Sequence, residues 1–199
     1  MAEGDWIWYW SIFVGLSIVF VYLSRKALIL PRSHGFYRFF VFEGDTGIIL
    51  LNVPAWVSNP WSWNQILSWA FLAISIIILL DGVHFFRKFG HASENEKVDD
   101  LTPLQEKIQQ SQFKFEKTTS LVQTGLFKYI RHPMYSSLLF LGWGAFLKDI
   151  SWVSVVLIII VTIFVFLTAR ADERECIVKF GEEYKAYMQK TKRFIPFIL

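Results

Sequence analysis

Apolar and polar positions along the chain fall in long blocks rather than in short alternations, and the blocks predict membrane helices. Trp6 to Ser24 is nearly all apolar and carries no charge. At ~1.5 Å per residue it reaches roughly 28 Å, about one hydrocarbon core. Trp6, Trp8, Tyr9 and Trp10 suit an interfacial aromatic belt at one end, and Arg25, Lys26 and Arg32 follow the other. Phe36 to Val57 predicts a second span. Arg38, Glu43 and Asp45 lie in its first half and are expected at the interface or facing protein, since a charge at mid-bilayer costs ~2.5–3.5 kcal/mol. Pro54 is expected to kink this span near its far end. Trp61 to Leu80 predicts a third, with Asp81, His84, Arg87 and Lys88 marking its exit.

The pattern then changes. Phe89 to Lys117 has no apolar run long enough to span, and reads as a solvent-facing loop with one short helix after Thr102 and Pro103. Met134 to Leu147 and Ser151 to Ala169 are apolar again, and the three residues between them predict an antiparallel hairpin. The first of the pair has only ~14 clean residues, roughly 21 Å, so its start must include part of the preceding Arg131-His132-Pro133-Met134-Tyr135. That puts Arg131 and His132 at or slightly below the membrane surface. The tail has a helical period with Ile177, Phe180, Tyr184 and Met188 on one face. It ends in KTKRFIPFIL, a basic cluster followed by an apolar anchor. The expected fold is an all-α integral membrane protein of about five transmembrane helices, with a C-terminal helical hairpin and a cytosolic tail helix. The whole chain, 1–199, forms one membrane domain: a three-span anchor over 1–88, a cytosolic loop over 89–118 and a C-terminal half over 119–199.

Composition supports the membrane assignment. The chain is 54% hydrophobic and 18% aromatic, more apolar surface than a soluble domain of 199 residues ordinarily hides. A net charge of +3 gives no footprint for nucleic acid. The one cysteine, Cys176, excludes a disulfide framework and a cysteine metal cluster, and His84 and His91 have no nearby partner to complete a site, so no metal is expected. The start MAEGDW lacks a basic n-region, which argues for a first span that stays in the membrane. Charge also tests the topology. Five spans put residues 25–38, 87–131 and 170–199 on one side, with 4, 8 and 7 Lys or Arg, and only Lys148 opposite. The positive-inside rule makes that side the cytoplasm, with the N-terminus outside and the C-terminus cytoplasmic.

Three constellations could carry chemistry. In Arg131 to Tyr135 proline suits a first helical turn, whose unpaired N–H groups and positive dipole end favour an anion. Arg131 adds a fixed charge, and His132 and Tyr135 add hydrogen-bonding groups; an interfacial helix start with snorkelling side chains explains the same residues about equally well. In Arg170 to Glu175, Asp172, Glu173 and Glu175 sit among Arg170 and Arg174, a pattern that also fits a solvated helix exit. The hairpin must bring these two clusters to one membrane face, and a zwitterion would match the pair. Glu43, Asp45 and Asn52 in the second span are either functional or interhelical hydrogen-bonding groups.

The residues that carry a family resemblance are Leu121-Val122, Gly125, Phe127, Arg131 to Tyr135, Asp172-Glu173, and Phe180-Gly181 with Tyr184 and Tyr187. In this order, over roughly residues 119–199, they resemble the isoprenylcysteine carboxyl methyltransferase family, part of the membrane methyltransferase superfamily that includes phospholipid methyltransferases. The resemblance implies S-adenosylmethionine as methyl donor and makes 119–199 the cofactor-binding catalytic half. It implies a cofactor site formed by Thr119, Leu121, Val122, Phe127, His132, Pro133, Met134, Tyr135 and Glu173, with Glu173 and Arg170 as catalytic residues. Arg170 is the best match to an arginine that the family places near the acceptor. Thr119 stands where the family often has His, Phe127 where it often has Tyr, and Arg170 lies closer to the acidic pair than the family's eukaryotic spacing. The implied partner is a lipophilic methyl acceptor, isoprenylcysteine carboxylate-like or otherwise lipid-like, entering from the bilayer among membrane lipids. A second resemblance is to the tail of sterol reductases, through Asp172-Glu173, Cys176 and Lys179-Phe180-Gly181; it implies NADPH, in enzymes with more spans than this chain. A non-enzymatic membrane scaffold is the third reading.

Overall fold

A computed structural model describes residues 5–89 and 120–198. Among them are five α-helices: α1 (Asp5–Leu28), α2 (His34–Leu51), α3 (Trp63–Phe89), α4 (Pro133–Phe146) and α5 (Trp152–Lys190). The expected loop over 89–118, with its short helix after Thr102, lies outside the described residues but for Phe89, as does Thr119. Helix α2 packs against α1 and α5, and α3 against α4, which also touches α2 and α5. Three helices, Ile7–Leu28, Trp63–Phe89 and Trp152–Lys190, are long and apolar enough to cross a membrane. Helices α2 and α4 run beside them between the same two ends of the bundle.

The burial pattern is that of a chain folded in lipid. Ile76, Ile77 and Leu80 of α3 and Val156, Ile159 and Ile163 of α5 point outwards, whereas Gln65, Ser68, Ser75, Ser136 and Ser137 are buried. In water this arrangement would leave a large apolar surface unpaid for; between lipid tails it costs nothing, and helices hold together by close packing and interhelical hydrogen bonds. Ser68 Oγ donates to Gly144 O at 2.6 Å and Ser75 Oγ to Ser137 O at 2.7 Å, fastening α3 to α4. Asn52 Nδ2 donates to Ala145 O at 2.8 Å and to Asp149 O at 3.2 Å, tying the end of α2 to the last turn of α4 and the loop after it. Ser17 Oγ donates to Glu43 Oε2 at 2.6 Å, linking α1 to α2. So two of the three polar residues singled out in the second span hydrogen-bond between helices, and the third, Asp45, is buried against Gly142.

The helices differ from expectation at their ends. Pro54 does not kink α2: the helix stops at Leu51 and Pro54 opens a 3₁₀ turn, Val53–Ala55. Proline's missing N–H and its ring make an end cheaper than a bend this close to the terminus. Helix α3 does not stop at Asp81 but runs to Phe89, because charge ends a membrane crossing without ending a helix. Helix α5 likewise continues from the fifth apolar block into the tail. Its 39 residues reach ~58 Å, about twice a hydrocarbon core, so its apolar first half crosses and the part from Arg170 onwards projects. One break interrupts it at Gly181, φ 59° and ψ −129°, backbone that glycine alone adopts readily. Beyond the break Tyr184 of the expected face is buried, Tyr187 is buried beside it, and Met188 is half-buried. The basic end packs back onto the bundle. Lys192 N donates to Tyr129 O at 2.9 Å and Arg131 N to Lys192 O at 2.8 Å, so the tail is zipped onto the segment before α4 with Phe194 buried beneath.

Candidate functional site

The site forms where the projecting part of α5 meets the segment ahead of α4. Gly125, with φ 62°, opens a 3₁₀ turn, Gly125–Lys128, and a Cβ there would collide with the Phe85 ring. The turn is held to α3 by Leu126 N, which donates to Asp81 Oδ2 at 3.1 Å, and to α5 by Tyr187 Oη, which donates to Phe127 O at 2.6 Å. His132 is the N-cap of α4 and Pro133 its first residue; the His132 side chain makes no cap bond.

The expected meeting of a cationic and an acidic cluster occurs, and most of it is spent internally. Glu173 accepts from Arg131 Nε at 3.0 Å and Nη2 at 2.9 Å, and from Arg193 Nε at 3.0 Å and Nη2 at 2.8 Å. Arg131 Nη1 also donates to Met188 O at 3.1 Å and to Thr191 O. His132 Nδ1 lies 3.3 Å from Asp172 Oδ2, and its Nε2 lies 3.5 Å from Glu173 Oε1 without forming a hydrogen bond. Burial opposes charging of His132, but the nearby Asp172 and Glu173 carboxylates prevail and raise its pKa. Burial also works against the carboxylates. It is outweighed at Glu173 by His132, Arg193 and Arg131, and at Asp172 by His132, His34 and Arg38, and both acids stay ionised. Burial and the charges of Asp172 and Glu175 push the Cys176 thiol well up, which makes it a poor nucleophile.

Above this cluster is a cavity of about 90 Å³. Leu121, Val122, Phe127, His132, Pro133, Met134 and Tyr135 all line it, with Asp172 as a carboxylate wall. Glu173 lies beneath, 4% exposed, and acts on the cavity through Arg131 and His132. Arg170 is exposed and outside the lining. It sits two residues, ~200° around a helix, from the cavity-facing Asp172, so the structure does not bring it into this cavity with the other motif residues. Further lining residues are His34, Phe86, Lys179 and Tyr184. His34 and Phe86 come from helices outside the motif-bearing half, and no local pattern marks them. Arg193 was legible only as one member of a basic run.

The site has groups that suit a zwitterionic ligand with an aromatic part. It pairs a carboxylate, Asp172, with a helix N-terminus at Pro133, beside the aromatic wall of Phe127 and Tyr135. His132 Nε2 is buried there without a hydrogen-bond partner.

Comparison with known proteins agrees with the motif reading. A family model described as "Phospholipid methyltransferase" matches residues 105–182, which contain the cavity-lining segment and most of the projecting part of α5. The match covers 78 of the 199 residues, a likeness of this segment to membrane methyltransferases. Among similar curated proteins, Methanethiol S-methyltransferase 1 of Bradyrhizobium diazoefficiens is 31% identical over 71 residues, 36% of this chain and 24% of the relative. Methanethiol S-methyltransferase of a Pseudomonas species is 21% identical over 145 residues, 72% of this chain and 50% of the relative. The chain thus spans between a quarter and a half of the length of these relatives.

Proposed function

We propose that this protein is an S-adenosylmethionine-dependent methyltransferase that acts on a small lipophilic acceptor at the cytosolic face of a membrane. The observation that carries the reading is the convergence of seven motif residues, Leu121 to Tyr135, on one cavity beside the ionised Asp172. When bound, the sulfonium donor supplies an electrophilic methyl group. Asp172 would hold its ammonium and the first free N–H groups of α4 its carboxylate, with Phe127, Val122 and Leu121 against the base. Methyl transfer from a sulfonium is a direct displacement, so alignment of donor and acceptor contributes more than acid–base strength at the carbon. Glu173 keeps Arg131 and His132 in place rather than touching the reacting atoms.

The relatives' names favour a thiol acceptor, and the older expectation of a prenylated carboxylate stands as the second candidate. The test is transfer of labelled methyl from S-adenosylmethionine to an alkyl thiol, a prenylcysteine and phosphatidylethanolamine in detergent. Labelled thioether is the expected product. Transfer to the carboxylate or the amine alone would replace the acceptor, and transfer to none would count against the reading. The proposed orientation, with the turn at Lys148 outside, predicts that a cysteine placed at Asp149 in a Cys176→Ser background reacts with an impermeant maleimide in intact cells; protection there and reaction at Lys128→Cys would invert it.

A further inference from the structure

We propose that the groove between the α1–α2 turn and the projecting part of α5 binds the phosphate headgroup of an anionic phospholipid. The inference goes beyond the methyltransferase reading and does not depend on it. The groove encloses about 270 Å³. Leu30, Pro31, Arg32 and Ser33 of the turn line one side, and Arg174 and Glu175 of α5 line the other. It lies where the apolar part of the bundle ends. Helix α1 finishes in a turn that holds Arg25 and Lys26, and Arg170 is the first charged residue after the apolar run of α5.

The acids of this region face inwards. Glu173 is taken by Arg131 and Arg193, and Asp172 lies against His132. Both oxygens of Glu175 are engaged by His34, Oε1 by the backbone N at 2.8 Å and Oε2 by ring Nδ1 at 2.6 Å. What remains on the outer side is cationic. Arg32, Arg170 and Arg174 are exposed, and none of them forms an ion pair among the described residues. Arg174 Nη2 donates to Arg32 O at 3.5 Å, which draws its guanidinium across the groove to the turn without meeting its charge. Arg170 and Arg174 are four residues apart on one helix face, a spacing at which like charges repel. An anion placed there relieves the repulsion, and guanidinium groups hold a phosphate through paired N–H donors.

The surroundings select a lipid phosphate over a soluble one. Leu30 and Pro31 give the groove an apolar side, and Ile29 next to them is exposed. A headgroup held by Arg32 and Arg174 leaves its acyl chains among the apolar outer faces of the helices, where a free phosphate has nothing to contact. Basic pockets between helices at a membrane surface suit anionic headgroups for this reason.

The test uses the full-length protein. Native mass spectrometry from detergent counts phosphatidylglycerol and phosphatidylcholine bound as each is added, and thermal unfolding is followed in nanodiscs with and without phosphatidylglycerol. The parent is expected to keep phosphatidylglycerol in preference to phosphatidylcholine and to melt higher in its presence. Arg32→Gln and Arg174→Gln should each weaken phosphatidylglycerol binding ~5-fold and leave phosphatidylcholine binding unchanged. Arg174→Lys keeps the charge and should lose less than Arg174→Gln. Arg87→Gln removes an exposed cation outside the groove and should change neither lipid. No preference for phosphatidylglycerol in the parent, or an equal loss in Arg87→Gln, would overturn the proposal. Displacement of the lipid by an equal concentration of glycerol phosphate would assign the groove to a soluble phosphate instead. A melting point lowered as much in phosphatidylcholine alone as with phosphatidylglycerol would mean that the arginines serve an acid within the chain, and would overturn it too.

Discussion

Replacing Glu173 with glutamine tests whether the acidic pair is the keystone of the site. Glu173 and Arg131 keep only 6% and 9% of their side-chain surface, and Arg193 keeps 27%. Glutamine retains the shape and one acceptor but removes the charge, which leaves Arg131 buried without its counter-ion. Removing one partner of a buried pair costs ~3–5 kcal/mol. The partly exposed Arg193 recovers water, so we take the lower end, about 3 kcal/mol. At ~2–4 °C per kcal/mol for a chain of this length, Tm should fall by roughly 6–12 °C. The assay is thermal unfolding in detergent at two scan rates, with Glu182→Gln as control. Glu182 is 86% exposed and pairs with the half-exposed Lys185, so its loss should move Tm by no more than a degree or two. Adding Arg131→Gln to Glu173→Gln should cost less than the sum of the two single changes, because the stranded charge goes with it. A Glu173→Gln shift no larger than that of Glu182→Gln would refute the reasoning.

Three more predictions follow from the packing and the site. Gly44→Ala places a methyl group on the fully buried Val161 of α5, and should cost ~1–3 kcal/mol, read as a lower Tm with the same helical content. Asn52→Ala removes two hydrogen bonds but leaves Ala145 O with Lys148 N and Asp149 O with Ser154 Oγ, and should cost ~0.5–1.5 kcal/mol per bond in the same assay. Because the folded pKa of His132 is raised above 6.5, its contribution is complete in mild acid and is lost as pH rises through the folded value; Tm should therefore decline above pH 6.5, and this slope should be absent in His132→Gln. Glu173 has the opposite sign: its folded pKa is lowered from 4.5, so its contribution holds at neutral pH and fades only in acid below that value.

What the sequence revealed was what local pattern encodes. Helix α4 was legible to within a residue at each end, because Pro133 marks its start and the Lys148–Ile150 gap its end. The cavity-lining run from Leu121 to Tyr135 was legible because its members lie together along the chain. The charged residues after Leu80 and Ala169 mark the ends of the apolar crossings but not of α3 and α5, because helical hydrogen bonding continues through them. His34 and Phe86 were invisible, since each reaches the cavity from an apolar or mixed helix with nothing in its neighbours to announce it. Arg193 looked like one member of a basic cluster, and only the bridge between Ile130 and Lys192 turns it towards Glu173. Arg170 shows the converse, a motif match whose helical phase points it away from the cavity.

The measurement that tests the central claim most directly is calorimetric titration of the detergent-purified protein with S-adenosylhomocysteine and, separately, with NADPH. The account predicts saturable one-site binding of S-adenosylhomocysteine, weakened at least tenfold by Asp172→Asn or His132→Ala, and no binding of NADPH. Binding of NADPH without S-adenosylhomocysteine would contradict it and move the cavity to reductase chemistry. Binding of neither would leave Arg131 to Tyr135 as the start of an interfacial helix and nothing more.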